Sequence, residues 1–315
     1  MKKHLKVGIA GLFFITTAGL AACGSSSEVA DTTVAVEETI APDVYPVTVG
    51  DLTLEAQPMR IVSLSPTATE MLYAIGAGQQ VVAVDEYSNF PAEAVALGTS
   101  LSGFEPNIEA ISGYTPDLVV VTYDPGNLVE QLKALNIPVF IAPGAASFDD
   151  VYEQIEQLGV LTGHTAEAVQ VSSQLQSDIA AAVAGVTPPT DPISYYYELD
   201  NTYYSVTSNT FIGQVFALFG MKNIADTAEA GNDYPQLSAE AIISSDPDII
   251  FLADTKYSKQ NAATVGARAG WGSLKAVTSG NVIELDDDIA SRWGPRIVEL
   301  VKAVGAAMTK ALANS

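Results

Sequence analysis

Residues Phe148 to Val186 read FDDVYEQIEQLGVLTGHTAEAVQVSSQLQSDIAAAVAGV and interrupt an otherwise regular alternation of strand and helix signals. Asp149, Asp150 and Glu153 suit a first helical turn. Val151, Ile155, Leu158 and Leu161 then recur on one helix face. After Gly163-His164 the pattern predicts a second helix from Thr165 to Val183, about 30 Å long at 1.5 Å per residue. Pro188, Pro189 and Pro192 cannot continue it. Residues 163–187 therefore read as a connecting helix.

Strand and helix signals alternate on either side. Toward the N-terminus, Ile61–Leu64, Val81–Val84, Leu118–Val121 and Val139–Ala142 are short apolar runs with strand character. Helices are predicted from Ser65-Pro66-Thr67 to Ile75, with Gly76 as the stop, and at Asn107–Ser112 and Leu128–Leu135. Val47, Val49, Leu52 and Leu54 bracket Gly50-Asp51 as a small hairpin. Toward the C-terminus the signals are Ile193–Leu199, Phe211–Phe219, Ile249–Leu252 and Val282–Leu285, with a last helix from Pro295 to about Leu312. This rhythm predicts an α/β fold of two lobes, 44–162 and 188–315. Each carries a central parallel sheet flanked by helices, and one long rigid helix joins them. An internal echo supports two related lobes. Glu109-Ala110-Ile111 precedes Pro116-Asp117-Leu118-Val119, and Glu240-Ala241-Ile242 precedes Pro247-Asp248-Ile249-Ile250 at the same spacing.

The N-terminus is basic at Lys2, Lys3 and Lys6, apolar from Val7 to Leu20, and ends in Leu20-Ala21-Ala22-Cys23-Gly24. That is the pattern of a secretory signal peptide over residues 1–22, closing in a lipobox-like stretch in which Cys23 would carry the lipid. Residues 23–43 are rich in Ser, Thr, Ala and acid and read as a flexible tether. The expected location is therefore outside the cytoplasm, held to a membrane by the Cys23 lipid. Cys23 is the single cysteine, so no disulfide within the mature fold is expected. Removing residues 1–22 takes three lysines and no acid, and moves the formal charge from −23 to −26. Such a surface excludes nucleic acid as a partner. The only arginines are Arg60, Arg268, Arg292 and Arg296, too few to build a large polyanion site.

Three stretches together carry a resemblance. They are Arg60-Ile61-Val62-Ser63-Leu64-Ser65-Pro66-Thr67-Ala68-Thr69-Glu70 with Gly76, then Pro106-Asn107-Ile108-Glu109-Ala110-Ile111 with Pro116-Asp117-Leu118-Val119, and Tyr234-Pro235-Gln236-Leu237-Ser238-Ala239-Glu240. From about Tyr45 onward the chain resembles the substrate-binding proteins of ABC importers for cobalamin, ferric siderophores and haem, the helical-backbone class III periplasmic binding proteins. The resemblance implies a monomer that holds a metal-chelate nutrient between its lobes and delivers it to an ABC permease and its ATPase. It implies that Glu109 and Glu240 dock onto permease arginines; solvated residues favoured by a helix dipole are the other reading. It places Tyr87, Tyr123, Tyr204 and Tyr234 where aromatics contact ligand, with Phe104 close by; ordinary partly buried tyrosines are the alternative. It makes Asp288 and Arg292 ligand contacts, where a pair that merely stiffens the loop would look the same. The ligand order implied is cobalamin or a corrinoid, then a ferric siderophore, then haem. Cobalamin-binding relatives carry Trp where this chain has Tyr123 and Tyr234.

Asp286-Asp287-Asp288 ends the last strand signal, and oxygen ligands of this kind suit calcium. No metal site or cofactor is expected, since the mature chain has one histidine, His164, in an interhelical turn where a capping or surface role fits. Nothing resembles a Gly-x-Ser-x-Gly elbow or a phosphate-cradling loop, so an enzyme is not expected. The competing readings are a carboxylate-dependent extracellular hydrolase and a surface sensor or adhesin on the same fold.

Overall fold

The computed structural model describes residues 44–314. The expected signal peptide, Cys23 and the expected tether lie outside the described residues. The chain opens with a hairpin of β1 (Val47–Val49) and β2 (Leu52–Leu54), which pairs Val49 with Leu52 and turns through Gly50-Asp51. The first lobe follows as β3 (Ile61–Leu64), α1 (Pro66–Ala74), β4 (Val81–Val84), α2 (Ala92–Val95), α3 (Ile108–Gly113), β5 (Leu118–Val121), α4 (Leu128–Ala134) and β6 (Val139–Ile141). Two long helices come next, α5 (Phe148–Thr162) and α6 (Thr165–Ala184). The second lobe is built from β7 (Ser194–Glu198), α7 (Phe211–Ala217), β8 (Lys222–Asn223), α8 (Ala239–Ser245), β9 (Ile249–Leu252), α9 (Ala262–Gly266), α10 (Lys275–Thr278), β10 (Val282–Glu284), α11 (Asp287–Ser291) and α12 (Ile297–Asn314).

Each lobe holds a four-stranded, wholly parallel sheet. Their orders are β4-β3-β5-β6 and β8-β7-β9-β10, so the second lobe repeats the topology of the first. The Pro-Asp echo has a physical cause in this repeat. The Asp117 carboxylate accepts the Met59 N–H at 2.9 Å, and the Asp248 carboxylate accepts the Ser194 N–H at 2.9 Å. In both lobes an aspartate entering the third strand clamps the start of the first.

Both faces of each sheet are covered, which is why the strands read as continuous apolar runs. Successive residues serve opposite faces. Ile61, Leu118 and Val120 join the central core, while Val62, Val119 and Val121 belong to an outer cluster with Ile111, Leu128 and Leu132. Tyr195, Tyr197, Ile249 and Phe251 face the central core, and Tyr196, Ile250 and Leu252 face a second outer cluster around Trp271. The central core continues through α5, α6 and α12, by way of Leu158, Leu161, Leu175, Ile179, Val301 and Val304. Each such aliphatic side chain, fully buried, contributes about 1.5–3 kcal/mol.

The helix signals are explained locally. Ser65 caps α1 through Ala68 N–H, Pro66 occupies its first position, and Gly76 follows it at φ 88°. Ser147 and Asp150 form a reciprocal capping box on α5. His164 stands at the N-cap position of α6 without a capping side-chain bond, its Nδ1 3.9 Å from the Glu167 carboxylate. Two readings need correction. The three aspartates do not end the last strand: Asp286 caps α11 by accepting the Asp288 and Ile289 N–H groups, so Asp287 and Asp288 belong to a helix. The last long helix begins at Ile297, because residues 292–296 run as a separate connection after α11.

Candidate ligand-binding site

In a parallel sheet whose order reverses, the loops leaving the C-terminal strand ends diverge and leave a crevice. Such a crevice opens here. Ser65, Pro66 and Thr67 follow β3, Asp85 and Tyr87 follow β4, and Thr122 and Tyr123 follow β5. Gly103 and Phe104 arrive on a segment that bridges to Asp85 through Leu101. The second lobe supplies Tyr257, Asp288, Ser291, Arg292 and Trp293. Together they enclose a recess of about 470 Å³. Gly103 is required there, since a Cβ would stand 2.7 Å from the Leu64 carbonyl oxygen. Recesses of about 550 and 840 Å³ flank the β1–β2 hairpin, but no exposed aromatic lines them.

One wall of the recess is aromatic. Tyr87 meets Phe104 edge-on at 5.8 Å between centroids, and Phe104 meets Tyr123 at 6.5 Å. Phe104 is 65 % exposed and Tyr257 68 %. Contiguous apolar rings left open to solvent mark a binding surface. Trp293, across the recess, is fixed by its indole N–H donating to Gln154 at 3.1 Å.

Behind Asp288 and Arg292, which line the recess, a charge network ties the two lobes together. Glu70, on α1, accepts from Arg292 at 2.7 Å and from Arg296 at 2.9 and 2.5 Å. Arg292 also donates to Asp288 and to the Tyr87 carbonyl, both at 2.9 Å. Asn89 donates to Asp288 at 3.0 Å, and Arg296 lies 4.2 Å over the Phe90 ring. Lys256 Nζ bridges Asp286 at 2.8 Å and Asp288 at 2.6 Å. Burial alone would raise the Asp288 carboxyl, but the Lys256 hydrogen bond, Arg292 and Asn89 hold it below the ordinary range. Arg292, Arg296 and Lys256 are thus each matched by carboxylate. Asp287 turns away and accepts from Thr255 Oγ1 and the Lys256 and Tyr257 N–H groups. The three aspartates serve three different sets of partners. Helix α11 is itself held by the buried Tyr197 hydroxyl, which donates to the Ala290 carbonyl at 2.8 Å.

Five of the seven residues named from sequence meet here: Tyr87, Phe104, Tyr123, Asp288 and Arg292. Tyr204 and Tyr234 do not line the recess. They lie on paired extended segments of the second lobe, where Tyr204 bridges Gln236 and Ser205 N–H donates to the Pro235 carbonyl. Glu109 and Glu240 occupy the same place in two short helices, the second position of α3 and of α8, after the caps Asn107 and Ser238. Both are exposed. Sequence reasoning missed Glu70, Asp85, Lys256, Tyr257 and Trp293 as members of the site. Glu70 carried a signal, as the one charge in the otherwise uncharged helix Pro66–Ala74, and Arg292 and Arg296 stand four positions apart in the sequence.

A family model described as "Periplasmic binding protein" matches residues 61–289. The chain belongs to the periplasmic binding protein family. A relative named "Cobalamin-binding protein" from Halobacterium salinarum is 33 % identical over 269 residues, covering 81 % of this chain and 72 % of that one. The uncharacterised ABC transporter substrate-binding lipoprotein YvrC of Bacillus subtilis is 30 % identical and covers 96 % of each chain. Among solved structures, the periplasmic vitamin B12 binding protein BtuF of Vibrio cholerae superposes with a TM-score of 0.67 at 28 % identity, over 81 % of this chain and 98 % of that one. The apo periplasmic heme-binding protein RhuT of Roseiflexus superposes with a TM-score of 0.72 at 24 % identity, over 80 % and 98 %, and shows the same fold. These relatives are binding proteins, not enzymes.

Deeper in the second lobe of this periplasmic binding protein sits a second charged group. Glu198, buried at the end of β7, takes a two-pronged bond from Arg268 at 2.6 Å each, and Arg268 stacks 4.6 Å over Trp271. Asp254, 2 % exposed, has neither carboxylate oxygen partnered among the described residues. Desolvation, then the charge of Glu198, outweighs Arg268 and pushes its pKa up to about 7. The unfolded chain, with an ordinary aspartate near 4, releases this proton first, so folding loses stability as pH rises from about 4 to about 7 and recovers none above. Asp254→Asn is expected to remove that slope. Its stability relative to the wild type should rise by about 1–3 kcal/mol between pH 5 and pH 8, in chemical denaturation at both. A wild type equally stable at the two pH values would refute this.

Proposed function

We propose that the protein is the extracytoplasmic, lipid-anchored substrate-binding component of an ABC importer, and that it captures a corrinoid of the cobalamin type. Proteins of this family work with a permease and its ATPase, and they bind chelates. The observation that carries the ligand choice is the pairing of an exposed aromatic wall with cations that are already matched by carboxylates. Large flat rings suit a corrin plane. A catecholate siderophore or haem would bring its own negative charge, and Arg292, the cation that lines the recess, would have to leave carboxylates to meet it. The Halobacterium relative's name and the Vibrio structure agree with this order. A ferric siderophore comes second and haem third. The lipid on Cys23 keeps the receptor near its permease, where a tether raises local concentration.

Trp293 lines the recess, whereas Trp271 is fully buried in an outer cluster. Cyanocobalamin or cobinamide is therefore expected to quench tryptophan emission saturably at micromolar concentration or below. Trp293→Phe should remove most of that signal. Calorimetry with the same ligands, haem and ferric siderophores ranks them directly. Absence of binding by any chelate would end the reading, and tighter binding of a siderophore would reverse the order.

A further inference from the structure

The aromatic wall of the recess comes entirely from the first lobe, where Tyr87, Phe104 and Tyr123 support one another by ring contacts. The second lobe contributes Tyr257 and Trp293. Trp293 is tied by its indole N–H to Gln154. Tyr257 has no such tie. It is 68 % exposed, and among the described residues its ring packs on no other ring and its hydroxyl has no hydrogen-bond partner.

The side chain is unsupported, yet the backbone beneath it is held at each step. The Asp287 carboxylate accepts the Lys256 N–H at 2.9 and 3.0 Å and the Tyr257 N–H at 3.1 Å, and Thr255 Oγ1 lies 2.7 Å from it. The next amide, Ser258 N–H, donates to the Asp254 carbonyl at 3.1 Å. Asp287 is itself 3 % exposed and sits in α11, which the Asp286 cap and the Tyr197 hydroxyl hold in place. Bonds to a charged acceptor are the strong kind. A loose segment could fold its tyrosine down and take the ring out of water. Here the ring is kept in solvent at the edge of the recess instead. A large ring held exposed on an ordered backbone is preorganised, because the entropy of placing that backbone is lost before any ligand arrives.

We propose that Tyr257 is the second lobe's jaw on the bound ligand, and that Asp287 is its positioning residue. The ring covers the chelate from the second lobe while Tyr87, Phe104 and Tyr123 cover it from the first. Asp287 does not line the recess, and its carboxylate is taken up by the segment that carries Tyr257. Tyr257 supplies contact, and Asp287 sets how much of that contact is realised. Both roles rest on the proposed ligand site.

The test is calorimetry with whichever of cyanocobalamin, a ferric siderophore and haem binds the wild type most tightly. Tyr257→Ala, at an exposed position, should weaken binding about ten-fold with the fold intact. Tyr257→Phe should recover most of that loss. Asp287→Ala should weaken binding to a similar extent by releasing the segment. Asp287→Asn keeps an acceptor for both amides and should recover most of it. The deciding measurement is the double variant. In the Tyr257→Ala background, Asp287→Ala should change affinity by less than about two-fold, although its loss of stability persists. A full additive loss there means that Asp287 acts through α11 rather than through Tyr257, and overturns its role. Unchanged affinity of Tyr257→Ala for a ligand that the wild type binds overturns the jaw and leaves the ligand reading standing. Amide hydrogen exchange in the ligand-free wild type covers the case in which Asp287→Ala does not fold. The Lys256 and Tyr257 amides are expected to exchange slowly, and fast exchange overturns the positioning. If no chelate binds the wild type, the ligand reading fails and the jaw fails with it, while exchange still decides what Asp287 does to the segment.

Discussion

Glu70→Ala is expected to lower stability by about 3–5 kcal/mol, the cost of leaving buried charge unpaired. The Glu70 side chain is 2 % exposed, and its two partners Arg292 and Arg296 are 9 % and 18 % exposed. Alanine would leave two guanidiniums in a site with little water to replace the carboxylate. Arg292 would keep Asp288, but Arg296 would lose its hydrogen bonds to Glu70 and keep its stacking on Phe90 and the weaker pull of Glu299 and Asp286. The Glu70 hydrogen bond is also the leading cause that raises the Arg296 pKa. Because α1 belongs to the first lobe and both arginines to the second, the loss is a loss of interlobe connection as well. Ligand affinity should fall with it, since Arg292, Asp288 and the Tyr87 carbonyl share the same network at the recess. Arg296→Ala combined with Glu70→Ala should cost less than the sum of the two, as expected for groups in one network. Urea denaturation of the three variants measures this. A Glu70→Ala cost under about 1 kcal/mol would place the group with solvated surface pairs instead.

The features that were legible in the sequence are those fixed by local pattern. Leu118–Val121 and Ile249–Leu252 announce fully covered parallel strands, because both of their faces meet apolar clusters. Ser65-Pro66 and Gly76 announce the two ends of α1, because cap chemistry acts within a few residues. The Pro-Asp echo revealed the repeat, and the structure shows why: each aspartate clamps a neighbouring strand. What escaped is what depends on distant partners. Glu70 and Arg292 are 222 positions apart in the chain. Lys256 and Tyr257 follow no periodicity, and their place is set by backbone N–H groups bound to Asp287. The aspartate run read as a strand end because periodicity does not show that Asp286 spends its carboxylate capping α11. Similarity of position placed Tyr204 and Tyr234 with the other aromatics, yet they sit on their own paired segments outside the recess.

Reversing both Glu109 and Glu240 to lysine is expected to abolish uptake while leaving ligand affinity unchanged. The two glutamates come from different lobes but share one local geometry, the second position of a short helix behind an Asn or Ser cap. Both are exposed, and neither is part of the recess. Two separated carboxylates on a strongly acidic protein can fix orientation on a permease by meeting basic groups, and can speed the encounter. A lysine at a helix N-terminus carries a small local cost, and the caps remain, so the fold should tolerate the change. The single reversals are expected to reduce transport partly, because one anchor would still orient one lobe. Reconstituted permease and ATPase, with ATP hydrolysis followed against receptor concentration, separate docking from capture. In that assay the double variant should saturate with ligand as the wild type does and fail to stimulate hydrolysis. If stimulation survives the double reversal, the permease reads another surface and the repeated glutamates are only solvated helix residues.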